Sequence, residues 1–382
     1  MKKKVKILHI VPAFTYGIAS YVKGLIEGAD ADKVQFDVMG FGEVPDEFRT
    51  LVESKGGKCI SLPSIHRELK KMVALLADSI KTGKYDVMHC HVYGYRGVVF
   101  KALGKRYGIK HIIIHAHASD EENKSKFHKL QTSLNRICNV SFANHYFTCS
   151  TIAAEYQYGK NFCGKHKIVT MPNSVKTEKF CIDIDSVEKE KYYRELKISE
   201  ENFVLIHVGR FYNQKNHSFL IDIVKAVKTD CPNVVALLVG TGELQDNIKE
   251  KVEKNYLQNN IRFLNERADV NKLLQLADVF VLPSFFEGLP VVGIEAQAAG
   301  LPLLVADTVT TEVDMDMGLV EFLPIDNGVE IWKTAILNKG KNRNRMTPHN
   351  RKLALQKKGF TTVGLWEKYY KEVMEYAGGE YE

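Results

Sequence analysis

Strand-like and helical runs alternate along this chain in two separate series, and that alternation leaves few folds open. In the first series KVKILHIVP (4–12) reads as a strand, GIASYVKGLIEGA (17–29) as a helix, VQFDVMGF (34–41) as a strand and DEFRTLVESKG (46–56) as a helix. CISLP (59–63), YDVMHCH (85–91), HIIIHAHA (111–118) and NHYFTCS (144–150) read as further strands, with helical RELKKMVALLADSIKTG (67–83) and RGVVFKALGKRYG (96–108) among them. The second series starts at NFVLIHVGR (202–210) and passes through VVALLVG (234–240) and IRFLN (261–265) to VFVLPS (279–284), again with helical runs between. Strands separated by helices of this length imply parallel sheets covered on both faces. The expectation is two doubly wound α/β domains facing each other, with ligands bound at the carboxyl ends of the strands in the cleft between them. Residues 182–197 read as a solvated linker and lead-in helix. The aromatic tail 359–377 is helical and too apolar to hang free.

Bulk properties exclude several classes. At 382 residues, 45% hydrophobic and 26% charged, the chain is long enough for two full cores. There is no 18-residue apolar stretch and no signal-peptide layout, so a cytoplasmic location is expected. Seven cysteines, odd in number and without a C-x-x-C pair, suit reduced thiols and neither a disulfide framework nor a zinc site. Residues 1–180 carry a net charge of +12 and the remainder −5. With no nucleic-acid motif present, the basic half suits an anionic membrane surface or a lipid diphosphate, or simply a well-solvated surface. The stretch Lys124–Arg136 interleaves cations with Phe127, Leu130 and Leu134, which suits either lipid contact or a helix covering the first domain.

Residues 283–302, PSFFEGLPVVGIEAQAAGLP, carry the strongest chemical signal. Pro290 is placed for the first turn of a helix that Gly300 and Pro302 end. Glu287 then lies in the loop outside the helix N-terminus, and Glu295 more than a turn inside. Free N–H groups at that N-terminus make an anion site. An anion site between two acids suits a ligand with a phosphate flanked by hydroxyl-rich rings, as in a nucleotide sugar.

Gly209-Arg210-Phe211-Tyr212-Asn213-Gln214-Lys215 follows a predicted strand directly. The fork of Arg210 and the point charge of Lys215 both suit a diphosphate, and cations already in place stabilise a departing diphosphate as its charge develops. Gly240 also ends a strand, a weak signal because a glycine there can serve only a tight turn, while Gly17, after the first strand, permits close backbone approach to phosphate. His115 and His117 share one side of their strand. Their i, i+2 spacing lacks a third ligand nearby in sequence, so no metal is expected, and His117 is placed to hydrogen-bond a sugar hydroxyl. His89 and His91 sit similarly and are read as packing or peripheral residues. The triplets Asp183-Ile184-Asp185 and Asp314-Met315-Asp316 end no strand and are not read as metal pairs.

These segments together resemble retaining glycosyltransferase family 4, whose fold is GT-B. EGLPVVGIEAQAAGLP looks like its E-x7-E segment and VGRFYNQKNH like its G-R…K phosphate segment; LLVGTGEL, KIVTMPNSVKTEKF and YDVMHCHVYG match further landmarks in order. RFYNQKNHSFLIDI with HAHAS resembles the branch associated with bacterial capsule and exopolysaccharide assembly. The resemblance implies an N-terminal acceptor-side domain over 1–175, with the helix in 360–382 packing back on it, and a donor-binding domain over 176–359. It implies that Arg210 and Lys215 bind the donor diphosphate and that Glu287, with the N–H groups of Gly288 and Leu289, holds the donor sugar. Glu295 would take the ribose hydroxyls, Asn265 to Arg267 would border the base, and His117 would reach the sugar. Gly17, Gly209, Gly240, Pro290 and Val291 complete the donor-binding set. The family often has Gly-Gly at Tyr16-Gly17, Gly at Asn265 and N-G-V-D at Asn173–Lys176.

The expected activity is anomer-retaining transfer of a hexose or N-acetylhexosamine, without metal or other cofactor. The donor is a nucleoside diphosphate sugar, with UDP favoured. The acceptor is a glycan, attached to a polyprenyl diphosphate at the inner membrane face. Catalytic roles fall to Glu287, His117, Arg210 and Lys215. A nucleotide-sugar epimerase and a silent sugar-nucleotide-binding partner are the alternatives.

Overall fold

A computed structural model describes residues 4–64, 68–117, 126–339 and 345–377 of the chain. The chain divides into two compact units, Met1–Ser174 with Gly359–Glu382, and Val175–Lys358. Each is built on one parallel sheet, and the two are described in turn.

The first sheet comprises β1 (Val5–Val11), β2 (Val34–Phe41), β3 (Cys59–Leu62), β4 (Val87–Cys90), β5 (His111–Ala116), β6 (His145–Thr148) and β7 (Ile168–Thr170), in the order β3-β2-β1-β4-β5-β6-β7. The order reverses between β1 and β4, and a doubly wound sheet opens its ligand crevice at such a switch point, beyond the carboxyl ends of the strands. The apolar runs read from sequence supply the core: Ile7, Val11, Val38, Val87 and Ile113 are buried together. The C-terminal helix Thr362–Ala377 adds Leu365, Trp366, Tyr369 and Val373 to that cluster. Burial of each such side chain contributes about 1.5–3 kcal/mol. Gly28 makes the approach possible, since a methyl group there would sit 2.6 Å from the Thr362 carbonyl oxygen.

The second sheet comprises β8 (Phe203–Val208), β9 (Val234–Val239), β10 (Ile261–Asn265), β11 (Val279–Leu282), β12 (Leu303–Ala306) and β13 (Val320–Leu323), in the order β10-β9-β8-β11-β12-β13. Its switch point lies between β8 and β11. All six residues of β9 are buried, as a strand covered on both faces requires.

One sequence expectation needs correction. In residues 182–197 the expected lead-in helix is present as Ser186–Leu196, but the stretch is no linker: the helix belongs to the second unit, is capped by Asp185 Oδ1 accepting from Glu188 N at 2.8 Å and buries Tyr193 and Leu196. The apolar tail is a helix, Thr362–Ala377, as its pattern implied. Pro348–Lys358 belongs to the second unit, and Gly359 turns the chain at φ 79° before Thr362–Ala377 begins in the first.

Candidate active site

The segments singled out from sequence leave the two strands that flank the second switch point. Gly209–Lys215 follows β8, and residues 283–290 follow β11 and lead into the helix Val291–Ala298. Glu287 lies in that loop and Glu295 in the second turn of the helix, as the Pro290 and Gly300 signals implied. The first turn leaves backbone N–H groups without helical partners.

Lys215 and Glu287 meet directly, Nζ lying 2.5 Å from Oε1. Their side chains are only 15% and 9% exposed, so the pair is poorly screened by water. Gln214, which no sequence signal picked out, fixes the carboxylate. Its Nε2 donates to the Phe286 carbonyl at 2.9 Å and to Glu287 Oε2 at 3.2 Å, while its own carbonyl accepts from Phe285 N at 2.9 Å. The loops after β8 and β11 are thereby stitched together through one residue.

Two glycines shape the floor. A methyl group at Gly209 would come within 3.0 Å of Lys215 Cδ and Cε, so glycine lets the lysine stem lie across the backbone. Gly240 has φ +135°, and a methyl group there would sit 2.2 Å from the Gly209 carbonyl oxygen. The Gly240 N–H donates to the Asn265 carbonyl at 2.8 Å, which ties the loop after β9 to the end of β10. Asn265 is left-handed at φ 53°, the conformation that favours the glycine common at this family position. Beneath Lys215, burial lowers His207 to about 4 and His217 to about 2, and Lys215 pushes both the same way. Both imidazoles are therefore neutral at physiological pH, and His207 Nδ1–H donates to the Val281 carbonyl at 2.8 Å.

The remaining predicted residues divide. Arg210 is exposed, its guanidinium 4.8 Å from the ring centroid of Tyr212. Glu295 has no side-chain hydrogen bond among the described residues, and burial raises its carboxyl to about 7 against a smaller opposing effect of Lys179. Arg267 is engaged elsewhere: it grips Asp269 through Nε and Nη2 at 2.8 and 2.7 Å and reaches Glu195 through Nη1 at 2.7 Å. Its guanidinium ties the loop after β10 to the helix Ser186–Leu196. The two Asp-x-Asp triplets serve the fold: Asp183 pairs with Arg351, Asp185 caps a helix, Asp314 Oδ1 accepts from Asp316 N, and Asp316 pairs with Lys358. A cavity of about 480 Å³ lies at the opposite, amino-terminal edge of this sheet, lined by Ala277, Asp278, Pro302 and Leu319. It is remote from the carboxyl ends where such sheets bind ligands.

In the first unit, Gly17 lies exposed in the first turn of the helix Tyr16–Gly28, where a methyl group would meet nothing within 4 Å. Packing therefore does not demand a glycine there. His117 follows β5 and is half-buried. The structure brings it into a cluster that sequence spacing concealed, because β1, β4 and β5 are neighbours. Nitrogens of His91, His115 and His117 lie within 4.8 Å of one another, as do those of His9, His89 and His91. A third imidazole thus stands beside the His115/His117 pair after all. The geometry is that of stacked, hydrogen-bonded rings. His115 and His117 stack at 3.9 Å with planes 24° apart, whereas a metal lies in the plane of every imidazole that binds it. The His9 Nδ1–His91 Nε2 and His91 Nδ1–His117 Nε2 distances are 3.0 and 2.8 Å. Two nitrogens of a tetrahedral zinc site stand about 3.3 Å apart. Burial lowers His9 and His117 to about 3, so both are neutral.

Of the sequence stretch Lys124–Arg136, Lys124 and Ser125 and the side chains of residues 126–128 lie outside the described part. The helix Lys126–Val140 covers the unit with one face, burying Asn139, and exposes Leu130, Leu134 and Ile137 along another. Arg136 is turned to the protein, its Nε donating to the Tyr156 carbonyl at 2.9 Å.

Two doubly wound parallel sheets, one carrying a lysine–glutamate pair and a glycine floor at its switch point, define the chain as a GT-B α/β protein. Residues 15–179 match the model of Glycosyltransferase Family 4, and residues 188–315 that of Glycosyl transferases group 1. The chain is 29% identical over 336 residues to EpsF of Bacillus subtilis, covering 87% of this chain and 86% of that one. It is 28% identical over 273 residues, 69% of each chain, to UDP-Gal:alpha-D-GlcNAc-diphosphoundecaprenol alpha-1,3-galactosyltransferase of Escherichia coli. Among solved structures, Anabaena HepE in complex with UDP-glucose superposes with a TM-score of 0.76 at 18% identity, over 97% of this chain and 99% of that one. The chain belongs to glycosyltransferase family 4, in the bacterial capsule and exopolysaccharide branch, and is a glycosyltransferase of polysaccharide biosynthesis.

Proposed function

We propose that the protein transfers a hexose or N-acetylhexosamine, with retention of anomeric configuration, from a UDP-sugar to a lipid-linked glycan. The observation that carries this reading is the buried Lys215–Glu287 pair at the switch point of the second sheet. Before the donor arrives, the two charges neutralise each other. An incoming diphosphate shares the ammonium, and Glu287 turns its lone pairs to the hydroxyls of the sugar. As the glycosyl bond breaks, negative charge grows on the departing diphosphate, and Lys215 and Arg210 stabilise that state more than the ground state. The N–H groups of Gly288, Leu289 and Val291 add a fixed positive potential at the helix start. Glu295 takes the ribose hydroxyls, Asn265 borders the base, and Gly17 and His117 serve from the first unit. On this reading Lys215 and Arg210 do the work of a divalent cation, and no metal or other cofactor is needed.

The E. coli relative, whose name gives a UDP-sugar donor and a diphosphoundecaprenol acceptor, supports the same chemistry here. The basic first half and the exposed Leu130–Leu134–Ile137 stripe support a peripheral position at the inner face of the cell membrane, in the cytoplasm. The test is incubation with UDP-hexoses and a polyprenyl-diphosphate sugar acceptor, with chelator present, followed by NMR of the product. Transfer with the donor's anomeric configuration is expected. An inverted product, a requirement for metal, or epimerised donor without transfer would refute the reading.

A further inference from the structure

Five histidines stand in the core face of the first sheet, four of them fully buried, where an alternating strand ordinarily places aliphatic side chains. His9 pairs in register with His89 across β1 and β4, and Tyr21 closes over the cluster, its ring 4.8 Å from His115 and 5.3 Å from His117. Three of the imidazoles form a chain. His9 Nδ1 meets His91 Nε2 at 3.0 Å, and His91 Nδ1 meets His117 Nε2 at 2.8 Å.

Proton counting restricts this chain sharply. A neutral imidazole carries one N–H and one bare nitrogen. Two hydrogen bonds through three neutral rings can be made in only two ways: every ring protonated at Nδ1, or every ring protonated at Nε2. The two arrangements differ at the buried end. His9 Nε2 has no hydrogen-bond partner and lies in the interior, with the ring of Phe36 5.3 Å away. The all-Nε2 arrangement would leave an N–H donor orphaned there, and buried N–H groups without acceptors are rare. The all-Nδ1 arrangement leaves only a lone pair.

We propose that His9 and His91 are positioning residues that lock His117 in the Nδ1–H tautomer, so that it presents a fixed N–H donor at the carboxyl end of β5. Direction passes along the chain: His9 Nδ1–H donates to His91, which must then hold its proton at Nδ1 and donate to His117 Nε2. His117 is left with its proton on Nδ1. A histidine in water prefers the Nε2–H form, so three rings all protonated at Nδ1 form a recognisable signature. The consequence for catalysis rests on the proposed contact of His117 with the donor sugar. A locked donor serves a sugar oxygen as an acceptor and rejects a group that can only donate at that point.

The experiment is long-range ¹H–¹⁵N correlation on protein labelled with ¹⁵N in its histidine rings, at neutral pH, with signals assigned by single substitution. The expected result is Nδ1–H at His9, His91 and His117 in the wild-type protein, and a His117 signal shifted toward a tautomer mixture in His9→Phe and in His91→Leu. Nε2–H at any of the three wild-type rings overturns the proposal without any variant being needed. An unmoved Nδ1–H signal at His117 in both variants overturns it as well. Turnover is a separate readout: His9→Phe, remote from the sugar, is expected to lower kcat by about tenfold with donor KM little changed. If His117→Ala kept full turnover, the sugar contact would be wrong, while the tautomer lock would still stand or fall on the spectra.

Discussion

Lys215 Nζ lies 2.5 Å from Glu287 Oε1, and the two residues come from the loops after β8 and β11, the strands on either side of a topological switch point. The pair holds its charges in register before any ligand arrives. Removing one partner strands the other. Lys215→Met is expected to destabilise the second unit by on the order of 3 kcal/mol. The double variant Lys215→Met/Glu287→Gln should recover part of that loss. Urea melts of the two single variants and the double variant measure the coupling; additive losses would show that the pair is not an interacting unit.

Glu295 gives a pH dependence with a definite sign. Its folded pKa is raised from 4.5 to about 7 by burial. Between those values the unfolded chain has released the proton and the folded one keeps it, so stability falls as pH rises through this window. Glu295→Gln removes the penalty. The variant should match wild type near pH 4 and exceed it at pH 8 by at most about 3 kcal/mol. Donor binding should move the other way in wild type, tightening above pH 7 as the carboxylate forms, and should be flat in the variant. Melting curves and UDP titrations across this range check both halves.

The glycines at 240 and 17 should behave oppositely. Gly240→Ala combines φ +135° with a methyl group 2.2 Å from the Gly209 oxygen, so a loss of at least about 2 kcal/mol is expected. Gly17→Ala sits in the first turn of a helix with open space around it. It should be neutral or slightly stabilising. If transfer nevertheless drops in Gly17→Ala while its melting temperature holds, the glycine is kept for phosphate approach.

Trp366 tests the C-terminal helix. It is 6% exposed, in the core of the first unit. Trp366→Ala should cost about 3–5 kcal/mol, read from chemical denaturation. A loss under 1 kcal/mol would mean that the helix Thr362–Ala377 adds little to that core.

Much of this was legible in the chain because local signals carried it. Period-two and period-3.6 patterns marked the main strands and helices, and Pro290 with Gly300 bracketed the helix that places Glu287 and Glu295. What escaped depends on strand order. His9 gives no sequence signal and His89 and His91 no sign of a shared cluster until β1, β4 and β5 are known to be neighbours, and only then does His117 acquire partners. Gln214 gave no signal, since its role arises from a contact with residues 285–287 across two loops. Arg267 was placed by the family resemblance, but its direction is set by Asp269 and by Glu195 on the helix Ser186–Leu196. The edge strands β7 and β13 are only partly buried and lack the apolar run that marked the comparably short, fully buried β4.

The most direct test of the account is calorimetric titration of UDP into the wild-type protein and into folded Lys215→Met. The wild type should bind one UDP per chain, and the variant should bind about 10- to 100-fold more weakly, the loss expected for one charge-assisted phosphate contact. Equal affinity in the two proteins would contradict the placement of the donor diphosphate at Lys215.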